Sequence, residues 1–567
     1  MEEQLSSMNS VISPRRWNSK TIFFLFAATA IVYIPSLFNH FTNWDDEIYI
    51  LNNPLIKNLS VDGVAKIFST PQYMGNYHPL TLLSYAFDYH LAELQPFVYH
   101  VTNLLLHFGC TFLVFFFLIE LGMQQTSSFL AALLFGIHPM HVESVAWLSA
   151  RKDVLYAFFF LGALICYVRY IQRDTKRWYI LSLLLFICSI FSKAVAVSLP
   201  VVVLLIDYLL DRPFSKKSIL EKIPFFLFSM IFGIVAIDAQ RSAKAIDQPT
   251  AFDFVDRLFI GAYGLVNYIF KLVFPLNLSA LYFYPSEVTG LPTTYYFSLA
   301  AVIGVAIVVI LSLRKTKEIF FGTGFFVATI ILVLQIIPVG RAMMADRYSY
   351  ISSIGFFYLL AIVFENRASR WKSFSQFTRT GMIVILCVYL VWLGLTTWQR
   401  CHVWNNGITV WTDVIEKNPS DPGLYNSRGQ AYMSAGDLQN AIRDFNLAIA
   451  IKPDYKHALT DRGNVYYATK QYTSAIADFS SAIATDRTFA LAYYDRANSY
   501  VQIKKFDLAL QDYSTALQLK PDYGDAFYNR GVLKLALGDS SGACNDFRQA
   551  SQFIPEIAQK VLFSLCR

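Results

Sequence analysis

Apolar residues in this chain come in blocks. Up to about residue 400 they form stretches near 18–20 residues long, broken by short polar segments; beyond that point the chain is polar and helical in spacing. A membrane-crossing helix needs about 20 apolar residues. The pattern therefore predicts spans at 21–38, 101–121, 128–148, 154–171, 178–192, 194–210, 223–240, 255–275, 294–313, 319–338, 348–365 and 381–398. The pair flanking Lys193 is short and reads as a helical hairpin turning at that lysine. The expected fold class is all-α: a polytopic membrane bundle over 1–398, with a large loop at 39–100, followed by a helical array over 399–567.

Basic clusters orient such a bundle, because cytoplasmic loops carry an excess of Lys and Arg. With Arg15, Arg16 and Lys20 in the cytoplasm, so are Arg169, Arg173, Lys176 and Arg177, and then Arg212, Lys216, Lys217 and Lys222. The clusters Arg314, Lys315, Lys317 and Arg367, Arg370, Lys372, Arg379 join them if 255–275 is re-entrant or interfacial. That arrangement gives about eleven crossings. It puts the array on the non-cytoplasmic side with loop 39–100: the periplasm if the membrane is a bacterial inner membrane, a lumen if the cell is eukaryotic. No small-residue cleavage site follows the first stretch, which reads as a retained helix.

Composition agrees. Of 567 residues, 55% are hydrophobic and 15% charged, against roughly a quarter charged in soluble domains. The net charge of +7 sits in short clusters between apolar runs, which argues against a nucleic-acid surface. The seven cysteines show no paired spacing, so neither a disulfide framework nor a CxxC metal site is expected.

The polar C-terminal part repeats every 34 residues. Arg428, Arg462, Arg496 and Arg530 share one register, Ala441, Ala475, Ala509 and Ala543 another, and Pro419, Pro453, Pro521 and Pro555 a third, with Arg487 in place of one proline. Gly429, Gly463 and Gly531 match, with Ala497 in the third repeat. This resembles the tetratricopeptide repeat, whose period is 34. The expected repeats are 422–455, 456–489, 490–523 and 524–557, with a half repeat before them and a capping helix after. Such arrays bind extended peptide in a concave groove. Gln430, Asn464 and Asn498 share one first-helix position, where amides suit a peptide backbone.

Chemistry gathers at the expected outer face. Asp45, Asp46 and Glu47 follow the first span, and a carboxylate there can act as a base toward a hydroxyl. His78 and Asp88 lie in the same loop; His138, His141 and Glu143 end the third span; Arg151, Lys152 and Asp153 come next. Ionisable groups at span ends are costly unless paired or functional. His138, His141 and Glu143 are candidate zinc ligands, although the spacing is not HExxH. Lys193, Arg341 and Arg347 lie on the same side, where cations can bind a phosphate.

These segments resemble one family. The residues are Asn43-Trp44-Asp45-Asp46; Asn76-Tyr77-His78-Pro79-Leu80-Thr81 through Asp88 to Tyr99-His100 and Thr102–His107; His138-Pro139-Met140-His141-Val142-Glu143-Ser144-Val145-Ala146-Trp147 with Arg151-Lys152-Asp153; and Met344-Ala345-Asp346-Arg347-Tyr348. They are similar to the transmembrane and tetratricopeptide-repeat-containing proteins, which belong to the GT-C glycosyltransferases. The resemblance implies a sugar carried on a polyprenyl phosphate and transfer on the non-cytoplasmic side. Animal members are O-mannosyltransferases acting on protein Ser/Thr. Arg151-Lys152-Asp153 stands where animal relatives tend to have Gly-Arg-Ala-Asp, so donor contacts can differ.

In that reading Asp45 or Asp46 takes the proton of the acceptor hydroxyl, and the anomeric centre inverts. Some of Arg151, Lys152, Lys193 and Arg347 hold the leaving phosphate. Glu47, His78, Asp88, His138, His141, Glu143 and Asp153 are the other donor or acceptor contacts. The expected partners are a polyprenyl-phosphate sugar, membrane lipid and a protein or peptide in the repeat groove. A divalent metal stays open. Two other classes compete. A non-catalytic membrane-anchored scaffold would leave the outer acids and cations unconverged. A flippase would carry pseudo-symmetry with polar groups at the bilayer midplane, and no inverted repeat is visible.

Overall fold

A computed structural model describes residues 19–70, 73, 75–243, 252–285, 290–340, 342–369 and 375–566. Arg15, Arg16, Arg341, Arg370 and Lys372 lie outside the described residues. The chain forms two compact units, Met1–Asn406 and Gly407–Arg567. Both are helical; the only strands among the described residues are the antiparallel pair Tyr282–Phe283 and Ala342–Met344.

Among the described residues of the first unit six helical stretches are long and apolar enough to cross a membrane. They are Ser19–Phe38, Pro96–Glu120, Leu148–Arg173, Lys216–Ser242, Thr293–Ser312 and Gln376–Val403. The unit is membrane-integral. The expected span 128–148 is broken: Gln125–Ile137 and Pro139–Ala146 meet at 52°, and counting this pair as one span gives seven. The cause is Pro139, which forces His138 into an extended conformation (φ −77°, ψ 131°). Ala194–Leu209, Glu318–Val333 and Ser353–Asn366 are apolar but shorter. Among the described residues, length and composition thus give six or seven candidate crossings, and the expected count of about eleven is not confirmed.

The hairpin expected at Lys193 is also replaced. The helix Lys176–Ser192 folds back instead along Arg151–Arg173, through a turn at Asp174 with φ 43°. Leu199–Leu209 packs on Glu318–Ile330. Lys193 itself is extended (φ −159°), a break between the two helical segments.

Residues 39–100 are not a loop. Short turns Glu47–Leu51 and Pro54–Lys57 lead into helices Val61–Ser69 and Pro79–Ala92. Ser60 caps the first of these by accepting from Gly63 N. Ile50, Ile56, Ile67, Leu82, Tyr85, Ala86 and Tyr99 close a core against Leu148 at the start of a span. This core fixes the acidic motif and His78 to the membrane helices.

In the second unit, helices begin at Pro422, Lys456, Ala490 and Gly524, each with a partner helix, after Gly407–Lys417 and before Pro555–Leu565. Each period-34 arginine makes a two-pronged contact with the aspartate 16 residues on: Arg428–Asp444, Arg462–Asp478, Arg496–Asp512 and Arg530–Asp546, at 2.7–2.9 Å. The remaining guanidinium nitrogen reaches back to Thr412, Asn446, Ser480 and Ser514 respectively. One residue thus joins its own two helices to the preceding repeat. The glycines allow close approach: a Cβ on Gly463 would lie 2.6 Å from the Phe479 ring. Cys544 and Cys566 form a disulfide that ties the last helix to the one before it, against the expectation of unpaired cysteines.

Candidate active site

The two adjacent acids of the first motif face different environments. Asp46 is fully buried. One oxygen accepts from Thr42 N and Oγ1 at 2.9 Å; the other accepts from Ser149 N at 2.9 Å and from Ser149 Oγ. Burial still pushes its carboxyl up from the usual range, the hydrogen bonds pulling the other way. With four donors on it, Asp46 pins the motif to the start of the span Leu148–Arg173. It is not free to receive a substrate proton. Asp45, by contrast, has 32% of its side chain exposed and lies 3.8 Å from Lys152 Nζ. Glu47 is half-buried at the start of the following turn, and burial raises its carboxyl.

The tripeptide Arg151-Lys152-Asp153 likewise divides. Arg151 is fully buried. It pairs with Asp88 at 2.5 Å, donates to Asn103 Oδ1 at 2.7 Å and to the Tyr99 carbonyl at 2.9 Å, and lies 4.6 Å from the Tyr85 ring centroid. Asp88 also accepts from Thr102. These groups complete one another, so Arg151 and Asp88 hold the helices Pro79–Ala92 and Pro96–Glu120 rather than a phosphate. Lys152 points the other way, over the Tyr49 ring at 5.0 Å and toward Asp45.

Two further cations come to the same place from distant sequence. Lys193 is ion-paired with Asp153 and lies 5.6 Å from the Tyr348 ring centroid. Arg347 is ion-paired with Glu143, and its backbone N–H donates to the same carboxylate at 2.9 Å. Its guanidinium lies 4.8 Å from the Tyr348 ring and 5.3 Å from Trp147. Lys152, Lys193 and Arg347 feel one another's charge. Like charges are held together here by rings, by Asp153 and Glu143, and by the loosely placed Asp45. Such a cluster is a ready receptor for an oxyanion.

The histidines of the third segment take no part in it. His138 Nε2 is 3.1 Å from the Leu272 carbonyl and its Nδ1 accepts from Met140 N. His141 is held by the Phe135 carbonyl at 2.8 Å and Ser353 Oγ at 3.1 Å. With Glu143 turned to Arg347, the three do not converge as zinc ligands. Among the described residues no group of three or more His, Cys, Asp or Glu is arranged to hold a metal ion.

The glycosyltransferase reading then meets the chain's relatives. Residues 23–242 match the family "Dolichyl-phosphate-mannose-protein mannosyltransferase", and residues 429–470, 463–504 and 497–538 match the TPR repeat. Protein O-mannosyl-transferase F38B6.6 of Caenorhabditis elegans is 24% identical over 77% of this chain and 63% of its own length. Protein O-mannosyl-transferase TMTC3 of Homo sapiens is 25% identical over 77% of this chain and 52% of its own length. The chain is a homologue of the TMTC O-mannosyl-transferases. It spans about half to two thirds of the length of these relatives. Of solved structures, MamA is 22% identical over 27% of this chain and 90% of its own, with a TM-score of 0.25.

In the repeat unit two of the three amides at the shared position, Gln430 and Asn498, are engaged between repeats. Gln430 donates to Asp461 at 2.8 Å, and Asn498 Oδ1 accepts from Asn529 Nδ2 at 3.1 Å and from the Tyr513 hydroxyl. Both reach the residue 31 positions on and so register one first helix on the next.

Sequence reasoning missed the aromatic part of the site. Trp44, Trp147 and Trp404 stack with centroid separations of 4.9 Å and 5.3 Å. Trp404 follows the last span and joins it to the acidic motif. Its signal was an indole at the polar end of an apolar run, where aromatics gather for many reasons. Asp346, of the motif Met344-Ala345-Asp346-Arg347-Tyr348, is buried and accepts from the Tyr282 hydroxyl at 2.7 Å. Burial and the nearby Glu143 push its carboxyl up to about 7.

Proposed function

We propose that this chain is a membrane mannosyltransferase. It moves mannose, or a similar hexose, from a polyprenyl phosphate to a hydroxyl acceptor, protein Ser/Thr, on the non-cytoplasmic face. The observation that carries the reading is the meeting of Lys152, Lys193 and Arg347 beside the half-exposed Asp45, within a region matching a mannosyltransferase family.

The chemistry follows from the charges. The acceptor oxygen attacks the anomeric carbon, and its proton passes to Asp45. The bond from that carbon to the phosphate oxygen breaks on the opposite face, so the centre inverts. The polyprenyl phosphate leaves with one more negative charge, which the three cations offset. Asp46 holds the loop that carries Asp45. The repeat array recruits the protein acceptor or a partner. The Cys544–Cys566 disulfide supports an oxidising, non-cytoplasmic setting for the array.

The test is transfer by the full-length protein in nanodiscs. A panel of polyprenyl-phosphate sugars and a Ser/Thr peptide is supplied, and the product is read by mass spectrometry. Transfer is expected with the mannose donor, falling roughly 10²–10⁴-fold in Asp45→Asn. Full turnover in that variant would remove Asp45 from the role. No transfer from any donor in the panel would favour the membrane-anchored scaffold.

A further inference from the structure

His78 is an anomaly beside this site. Only 7% of it is exposed, yet its Nδ1 is buried without a hydrogen-bond partner. A buried polar atom left unpaired costs about 1–3 kcal/mol, and most such atoms in folded proteins are satisfied. His78 immediately precedes the helix Pro79–Ala92, where a side chain can cap the first turn, but it makes no such bond.

Its surroundings are fixed from both sides. Asn76 donates to the Tyr49 hydroxyl at 2.9 Å, and the Tyr49 ring lies 5.0 Å from Lys152 Nζ. Thr81 donates to the Ser192 carbonyl at 2.9 Å, and Ser192 adjoins Lys193. The segment carrying the imidazole is thus anchored near Lys152 on one side and next to Lys193 on the other, and the charges of both lysines reach the ring. Burial and the charges of Lys152 and Lys193 all hold it well below its usual range, so it is neutral. A neutral imidazole still offers one N–H, and it does so without adding charge to a crowded cationic cluster.

We propose that His78 is a direct hydrogen-bond donor to the phosphate of the polyprenyl carrier, seated between Lys152 and Lys193. The proposal rests on the glycosyltransferase reading and names a fourth contact to the same anion. His78 supplies direction where the two ammonium groups supply charge. An N–H aimed at one phosphate oxygen fixes the rotation of the group about its lipid bond, and so the line along which the carbon–oxygen bond breaks.

The experiment uses the full-length protein in nanodiscs with farnesyl phosphate as the probe, farnesol as its uncharged counterpart, and four proteins: wild type, Lys152→Met, His78→Phe and His78→Gln. Wild type binds the phosphate, and Lys152→Met binds it more weakly. His78→Phe keeps the ring volume but loses the donor. It is expected to lower phosphate affinity roughly ten- to hundredfold, with farnesol binding and thermal midpoint unchanged. His78→Gln, whose amide can donate, is expected to recover most of the loss. Equal phosphate affinity in wild type and His78→Phe, with Lys152→Met still weakened, overturns the proposal alone. Equal loss of phosphate and farnesol binding in both His78 variants assigns the residue to packing and overturns it too. No phosphate-dependent binding in wild type overturns both the proposal and the reading beneath it.

Discussion

In the repeat array, each arginine of the 34-residue period faces an aspartate of its own repeat, prong against prong. In the membrane unit, Lys152, Lys193 and Arg347 face acids too, but they also face one another. Arg151, one residue from Lys152, follows the array's rule: it is buried, with Asp88 and three further acceptors around it. The contrast separates charges that complete a fold from charges kept near their own kind. A folded chain gains little by holding three cations so near one another, and an arriving anion would add to what Asp45, Asp153 and Glu143 already offset. Completed pairs hold the fold together, and the crowded ones are where the proposed site lies.

Removing a completed, fully buried pair should have the largest effect on folding. Arg151→Met strands the Asp88 carboxylate, and a buried pair broken from one side costs about 3–5 kcal/mol. The midpoint of detergent-solubilised full-length protein should drop steeply, with activity lost only alongside the fold. Unchanged stability with lost phosphate binding would move Arg151 into the crowded group.

A smaller loss is expected at Arg496→Met, because that pair is partly exposed, with 19% of the arginine side chain accessible. About 1–2 kcal/mol is the expected scale once solvent screening is allowed for. Hydrogen exchange of the full-length protein should quicken over the helices Ala490–Gln502 and Phe506–Leu519 and stay unchanged in the membrane unit. A loss spread evenly through both units would contradict this local account.

The smallest effect tests an acid of the array with an incomplete set of partners. One oxygen of Asp495 is buried and unpaired, and burial, with help from Asp461, pushes its carboxyl up to about 7 against the pull of Asn464. An acid whose pKa is higher folded than unfolded binds its proton more tightly in the fold. Its stabilisation is complete below about pH 4 and is lost as the pH rises toward 7. Asp495→Asn should therefore slow exchange of the array at pH 8 relative to wild type, with the difference fading at pH 4. A gap that widens in acid would reverse the sign and exclude the raised carboxyl.

These distinctions mark how far the sequence could be read. The 34-residue period placed the arginines, and the helices starting at Pro422, Lys456, Ala490 and Gly524 follow it, because a repeat states the same packing constraint several times. The site is stated once. Asp45 and Asp46 were legible as a pair, but neighbours in a chain point to different sides. Nothing local says that Ser149 and Thr42 would enclose one of them. Arg151 and Lys152 pose the same problem, since adjacent residues on a helix do not share a face. The amides Gln430, Asn464 and Asn498 were legible as a register but not as its purpose, because the partners of Gln430 and Asn498 lie 31 residues away on the next helix. The span count is harder to read for a different reason. Pro139 and Lys193 break apolar runs into pieces whose pairing depends on tertiary contacts, and hydropathy alone carries no record of those.

The stacked indoles of Trp44, Trp147 and Trp404 have an optical consequence. Rings 4.9 Å and 5.3 Å apart share their excited states, so the trio should give a near-ultraviolet circular dichroism couplet that a single tryptophan cannot produce. Because the Arg347 guanidinium lies over the middle ring, an anion drawing that cation away would shift the couplet. Occupancy could then be followed without any label.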